Sequence, residues 1–220
     1  MFGRKKQKRI GIFGGSFNPP TLGHRAIVRH LLKNSIVDEV WVMPCNNHKQ
    51  KDGLIHWTHR LAMCEYTFAS VDNAHVKSFD CVLETDGSTI DIMQILQSMH
   101  GYSIDFNIIV GQDNADEFHT WKEWEKLRDM YKFIVFPRGE SYMSKYDWYS
   151  NKPHKFLSKF NVNSISSTRV RENIEIFNST TGSRLKYSAN DYLDNFLHPS
   201  VFNYIQDHEF YRTTNEKVTP

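Results

Sequence analysis

The stretch from Arg9 to His24, RIGIFGGSFNPPTLGH, constrains the fold more than any other part of the chain. Ile10, Ile12 and Phe13 read as a short apolar strand that runs into Gly14 and Gly15, and a helix opens with Thr21 and His24. Glycines at a strand end let backbone N–H groups come close to a ligand with no Cβ in the way. The following helix aims its unpaired N–H groups and positive dipole end at the same spot. Pro19 and Pro20 stand where a helix start tolerates a missing N–H. Thr21 and His24 are three residues apart and share one face of the first turn, so a hydroxyl and an imidazole can both touch a phosphate there. The pattern predicts a phosphate-binding corner, although Gly-Gly also makes ordinary turns and a lone helical histidine is often only a solvated side chain.

Beyond this corner the chain alternates strand and helix patterns, which predicts an α/β fold: a doubly wound, Rossmann-like parallel sheet with a small C-terminal helical part. Strands are expected at Arg9 to Phe13, Val37 to Met43, Ala74 to Ser78, Asp105 to Val110 and Tyr131 to Phe136. Helices are expected at Leu22 to Lys33, Thr58 to Ser70, Thr89 to His100, Trp121 to Met130 and Glu172 to Phe177. The run Ile108, Ile109, Val110 suits a strand buried on both faces. With 220 residues, 40% of them hydrophobic, the chain is read as one domain: a basic tail over 1–8, a core over 9–137, an irregular connection over 138–164, and C-terminal helices over 165–211. The connection is polar and aromatic, with Tyr142, Tyr146, Trp148 and Tyr149.

Composition narrows the function. No apolar run reaches membrane-spanning length, and MFGRKKQKR lacks the apolar stretch of a secretion signal, so a cytoplasmic protein with no membrane partner is expected. Cys45, Cys64 and Cys81 are widely spaced with no CxxC pair, which argues for free thiols and against a metal cluster. A net charge of +2 gives no case for nucleic-acid binding; Arg4, Lys5, Lys6, Lys8 and Arg9 read as a solvated basic end. His56 and His59 have the spacing of helical metal ligands, but without an HExxH pattern they read as surface histidines.

In a parallel sheet of this kind ligands sit beyond the carboxyl ends of the strands. Those positions carry Gly14 to Ser16, then Pro44 to Lys49, then Gly111, Gln112 and Asp113, then Pro137 and Arg138. A glycine corner, a lysine, a carboxylate able to accept from ribose hydroxyls and an arginine make up the inventory of a nucleotide site. A second motif, Ile165 to Arg171 (ISSTRVR), puts hydroxyls at a helix start, where they either cap the helix or help to hold an anion, with Arg171 one turn in.

These segments together resemble one enzyme family. GGSFNPPTLGH is similar to the (T/H)xGH motif of the nucleotidyltransferase superfamily, and ISSTRVR resembles the ISSTxIR motif of nicotinamide and nicotinate mononucleotide adenylyltransferases. PCNNHK with HRLAM behind it, GQDNADEFHTWKEW, and the ending YLDNFLHPSVFNYIQDHEFY resemble further segments of that family, so the likeness runs from Arg9 to Tyr211. It implies an enzyme that joins the AMP part of ATP to a pyridine mononucleotide and releases pyrophosphate, with Mg2+ on the ATP phosphates, and it leaves a homo-oligomer open. The alternatives are a pantetheine-phosphate adenylyltransferase, a cytidylyltransferase, or a catalytically inactive nucleotide-binding regulator.

The resemblance also implies roles. Thr21, His24 and Arg171 would be catalytic. ATP would be held by Gly14, Gly15, Ser16, Phe17, Thr21, His24, Lys49, Asp113, Ser167, Thr168 and Arg171. The mononucleotide would meet Ser16, Phe17, Lys49, Thr89, Gly111, Asp113, Trp121 and Arg138, with Trp121 stacked on the pyridine ring; a half-buried helix anchor is the plainer reading of Trp121. No protein-held metal is implied. Thr21 stands where the bacterial nicotinate type usually has histidine, and Gly87, Ser88, Thr89 stand where it has SYT, so the acceptor stays open between nicotinate and nicotinamide, with size and ending favouring nicotinate.

Overall fold

The computed structural model describes residues 7–46, 53–82, 87–138, 142–160, 166–179 and 193–212. Six strands form one parallel sheet: β1 (Lys8–Gly15), β2 (Glu39–Pro44), β3 (Ala74–Val76), β4 (Ile104–Gly111), β5 (Lys132–Phe136) and β6 (Lys155–Phe156). Their order is β3-β2-β1-β4-β5-β6. The chain winds outward from β1 to β3 and then returns to β4 on the other side of β1, and this reversal opens a crevice beyond the carboxyl ends of β1 and β4. Gly14 and Gly15 end one of these strands and Gly111 the other.

Helices among the described residues include α1 (Leu22–Lys33), α2 (Trp57–Phe68), α3 (Phe79–Val82), α4 (Thr89–His100), α5 (Gln112–Asp116), α6 (Trp124–Met130), α7 (Ser167–Ser179) and α8 (Pro199–Asp207). Strand side chains alternate between two cores, as the pleat requires. Ile10, Ile12, Ile108, Val110, Phe133 and Val135 join Ile90, Met93 and Leu96 of α4 on one face. Phe13, Val40, Val42, Ile109 and Ile134 join Ile27, Val28 and Leu31 of α1 on the other. The double burial expected for Ile108 to Val110 is what β4 shows. A third cluster, with Met63 of α2, Val170 and Ile174 of α7, and Val201 and Ile205 of α8, fastens the C-terminal helices to α2. Among the described residues no helix is long and apolar enough to cross a membrane.

The sequence reading needs correction in four places. Residues 138–164 were expected to be irregular, yet they contain a 3-10 turn at Trp148–Ser150 and the edge strand β6 paired to β5. The helix expected from Trp121 starts only at Trp124, because Phe118–Thr120 is a 3-10 turn and Glu123 has φ 47°, a left-handed backbone that interrupts the run. Helix α7 spans Ser167–Ser179, longer than the expected Glu172 to Phe177. Pro19 and Pro20 lie ahead of the cap residue Thr21, outside the first turn.

Candidate active site

The corner after β1 is built as a tight loop. Phe17 has φ 44°, a conformation uncommon for a residue with a side chain, and its buried ring meets Phe13 edge-on at 5.4 Å. Phe17 therefore offers backbone to the corner while its side chain serves the core. A Cβ on Gly15 would lie 3.2 Å from the Phe17 ring, a tight contact that the ring would have to yield to by a few tenths of an ångström.

Helix α1 then begins with Thr21 as its cap. The Thr21 N–H donates to His24 Nδ1 at 2.9 Å, and Thr21 Oγ1 accepts from the His24 N–H at 3.4 Å. A backbone N–H can only donate, so Nδ1 is the acceptor, and in the neutral ring the proton sits on Nε2. The ring is further fixed by an edge contact to Phe17, with centroids 5.1 Å apart. A fixed donor on the cavity wall results, assembled from the two residues that the sequence singled out.

The ISST segment lies against this loop. Ser166 caps α7 by accepting from the Arg169 N–H, which releases the other hydroxyls for different work. Ser167 Oγ donates to Pro19 O at 2.8 Å, and Arg171 donates from Nη1 to Asn18 O at 2.8 Å and from Nη2 to Thr168 Oγ1 at 3.3 Å. The buried Tyr211 hydroxyl, held in its neutral form by burial, donates to Asn18 Oδ1 at 2.8 Å. Residues 148 to 193 positions apart are thus tied to one loop.

At the end of β4, Asp113 and Arg138 form an ion pair of 2.8 Å. Each was expected singly at a strand end, and the fold joins them over Gly111, where a Cβ would run into Asp113 Oδ1 and lie 3.1 Å from Arg138 Nε. Both of those atoms lack a hydrogen-bond partner among the described residues.

Two cavities meet beyond the strand ends. One, of about 730 Å3, is lined by Thr21, His24, Asp113, Arg138, Ser167, Thr168 and Arg171 together with Ser16, Phe17, Gly111 and Tyr142. The other, of about 510 Å3, is lined by Thr89, Trp121, Asp80, Met93 and Ile92. Gly14, Gly15, Val110 and Asn114 line both. Lys49 aside, the sequence-derived candidates therefore fall into one joined space, with Thr89 and Trp121 in the smaller lobe, Gly14 and Gly15 on both, and the others in the larger. Trp121 is half-buried against Phe118 at 5.4 Å and also lines its cavity, so the anchor and the ligand-facing readings both describe it. Lys49 lies outside the described residues.

Sequence reasoning missed Arg60, which is fully buried. Its guanidinium donates to Ser16 O, Ile55 O, Cys45 O and Asn46 O at 2.6–2.8 Å, and so braces the loops after β1 and β2 from beneath. The signal was available, because Arg60 shares the apolar stripe of α2 with Met63, Cys64 and Thr67. Cys45, Cys64 and Cys81 are free thiols, and burial pushes Cys81 up to about 11. Among the described residues no three His, Cys, Asp or Glu side chains are grouped to hold a metal. His56 and His59 go separate ways, the first toward Thr58 and the second toward the Tyr204 hydroxyl.

Comparison with known proteins agrees with this geometry. The cytidylyltransferase-like family model matches residues 12–173. A Salinibacter ruber protein described as a probable nicotinate-nucleotide adenylyltransferase is 30% identical over 210 residues, covering 94% of this chain and 99% of its own length. The chain belongs to the nicotinate-nucleotide adenylyltransferase family. A family member of the same description from Flavobacterium psychrophilum is 29% identical, covering 93% of this chain and 99% of itself. Among solved structures, the Plasmodium falciparum nicotinic acid mononucleotide adenylyltransferase complexed with NaAD superposes with a TM-score of 0.73 at 25% identity, covering 93% of this chain and 98% of its own.

Proposed function

We propose that this protein transfers the adenylyl group of ATP to nicotinate mononucleotide, with nicotinamide mononucleotide as the alternative acceptor, releasing pyrophosphate and forming the dinucleotide in NAD biosynthesis. The observation that carries this reading is the pair of cavities that meet at Gly14 and Gly15. One lobe is lined by cations, hydroxyls and a fixed imidazole donor, and the other by Trp121, Ile92 and Met93 together with polar groups from Asp80, Ser88, Thr89 and Glu117. The names of the family relatives support the same pair of substrates, and the Trp121 ring on the smaller lobe suits a pyridine ring better than a pantetheine arm or a cytidine. Helix α4 begins at Thr89 on the wall of the smaller lobe, and the positive end of its dipole suits a carboxylate and favours nicotinate.

The chemistry needs little from a base. The acceptor is a phosphate monoester whose second pKa is about 6, so it arrives as a dianion at neutral pH. One of its oxygens attacks the α-phosphorus of ATP, the bond to the bridging oxygen breaks, and pyrophosphate departs with the electron pair. Positioning and charge stabilisation must supply most of the rate. In this reading His24 Nε2–H donates to an α-phosphate oxygen as charge grows there, while Arg171, Ser167 and Thr168 hold the departing phosphates and Lys49 adds a phosphate contact. The backbone of Gly14 to Phe17 lines the point of transfer, Thr89 lies at the pyridine substituent, and Asp113 and Arg138 accept from and donate to the sugars and phosphates.

Mg2+ would be carried as a passenger on the triphosphate, since such ions are commonly held through substrate phosphates. Bound there, it would neutralise charge on the departing pyrophosphate. Supplying ATP, Mg2+ and each mononucleotide in turn, and measuring pyrophosphate together with the dinucleotide by mass, tests the proposal. Release with nicotinate mononucleotide in excess over nicotinamide mononucleotide is expected; release with neither contradicts it.

A further inference from the structure

The aromatic stretch from Tyr142 to Tyr149 has no role in the mechanism so far, yet it is held to the sheet domain by a chain of hydrogen bonds. Its centre is Asp116, the last residue of α5, a carboxylate 92% shielded from solvent. Tyr142 Oη donates to Asp116 Oδ2 at 2.9 Å, Ser144 Oγ donates to Oδ1, and the Lys145 N–H donates to Oδ2 at 3.2 Å. The network continues outward: the Tyr149 hydroxyl donates to Ser144 Oγ at 2.7 Å, and Gln112 Nε2 donates to the Tyr149 hydroxyl while Gln112 Oε1 accepts from the Arg138 N–H. Five side chains or backbone groups from residues 138–149 are thereby fastened to one short helix.

The same helix carries Asp113, whose partner Arg138 lies on the larger cavity together with Tyr142. Fastening this stretch thus sets one wall of the cavity. The Tyr142 hydroxyl is committed to Asp116, and burial and that bond push its pKa up to about 12, so it stays a neutral donor. What Tyr142 has left to offer the cavity is its ring. Elsewhere on this cavity His24, Ser167, Thr168 and Arg171 supply groups for phosphates, and Phe136 and Pro137, next to Arg138, add apolar surface on which a base can rest beside the Tyr142 ring.

We propose that Tyr142 is a nucleotide-contacting residue that presents its ring to the adenosine part of ATP, and that Asp116 is the positioning residue that holds it there. The inference rests on the reading that the larger cavity takes ATP. An aromatic face suits a purine because stacking needs no particular hydrogen-bond pattern. A tyrosine anchored by a buried carboxylate does so with little freedom to lose on binding.

The test is direct ATP binding by titration calorimetry, paired with steady-state kinetics, for wild type, Tyr142→Ala, Tyr142→Phe, Asp116→Asn and the Asp116→Asn/Tyr142→Phe double variant. Tyr142→Ala should weaken ATP binding by roughly 5- to 150-fold, the range of single base–aromatic stacks, and leave the KM for the mononucleotide within about twofold. Tyr142→Phe removes this bond and Asp116→Asn weakens it by exchanging a carboxylate acceptor for an amide oxygen, so both should weaken ATP binding by a smaller factor and the double variant should be no worse than the poorer single one. Wild type that fails to bind ATP overturns the underlying reading of the cavity. Wild type that binds while Tyr142→Ala binds equally well overturns this inference alone, as do equal losses for both substrates or additive losses in the double variant. If Asp116→Asn does not fold, Tyr142→Ala still decides the nucleotide contact, and Tyr142→Phe, which leaves Asp116 in place, decides the anchor: unchanged ATP binding in that variant overturns it.

Discussion

Thr21 and His24 cap helix α1 reciprocally, each accepting a hydrogen bond from the other's backbone N–H. The imidazole is held at Nδ1 by the Thr21 N–H, which survives replacement of the side chain, and by the Thr21 hydroxyl at 2.8 Å, which does not. Thr21→Ala should therefore cost about 1 kcal/mol of stability through the lost cap, while turnover falls by much less than in any variant that removes the imidazole. Thermal melting and turnover measured together check this; a large turnover loss at normal stability would mean that the hydroxyl touches substrate.

Trp121 divides its surface between Phe118 and the smaller cavity. Trp121→Ala should raise the KM for the mononucleotide by a stacking loss of about 1–3 kcal/mol and leave the KM for ATP nearly unchanged. Equal effects on both substrates would reduce Trp121 to a structural anchor.

Arg60 donates to four carbonyls from a fully buried position. Arg60→Leu strands those acceptors, each at a cost of about 1–3 kcal/mol, so chemical denaturation should show a loss of at least about 3 kcal/mol. A loss under about 1 kcal/mol would mean that the loops after β1 and β2 hold their shape without the brace.

His154 accepts the Phe133 N–H at 3.2 Å, and burial, then the nearby Arg128 charge, holds its pKa below the ordinary 6.5. The unfolded chain takes up this proton more readily than the folded one. The contribution of His154 is thus fully present above pH about 6.5 and is lost as pH falls from there through the folded value. His30, His59 and His198 shift in the same direction. The melting temperature should drop between pH 7 and 5, and His154→Gln should flatten part of that slope; an unchanged slope would remove His154 from the account.

The parts of this design that depend on local pattern were legible in the sequence. The apolar run of β4, the glycine corner and the spacing of Thr21 and His24 each carry their meaning within a few residues, and α1 and α4 lie where their periodicity put them. What pattern could not show are the ties across distance. Asp113 meets Arg138 only because β4 and β5 are neighbours, and Asn18 gathers Arg171 and Tyr211 from the far end of the chain. Strand β6 has two residues, too few for any alternation to register. Arg60 was overlooked because a charged residue reads as exposed, although its place on the buried stripe of α2 says otherwise.

Pyrophosphate release by purified wild type and His24→Ala, with ATP, Mg2+ and nicotinate mononucleotide, tests the central claim most directly. If the imidazole donates to charge that grows only in the transition state, turnover should fall by about 100- to 1,000-fold. Because His24 also completes the cap of α1, His24→Ala should lose about 1 kcal/mol of stability, and His24→Gln, which keeps a capping side chain, should regain the stability without the rate. A His24→Ala protein that melts near the wild-type temperature and releases pyrophosphate at a near-normal rate would contradict the assignment of this corner as the place where adenylyl transfer occurs.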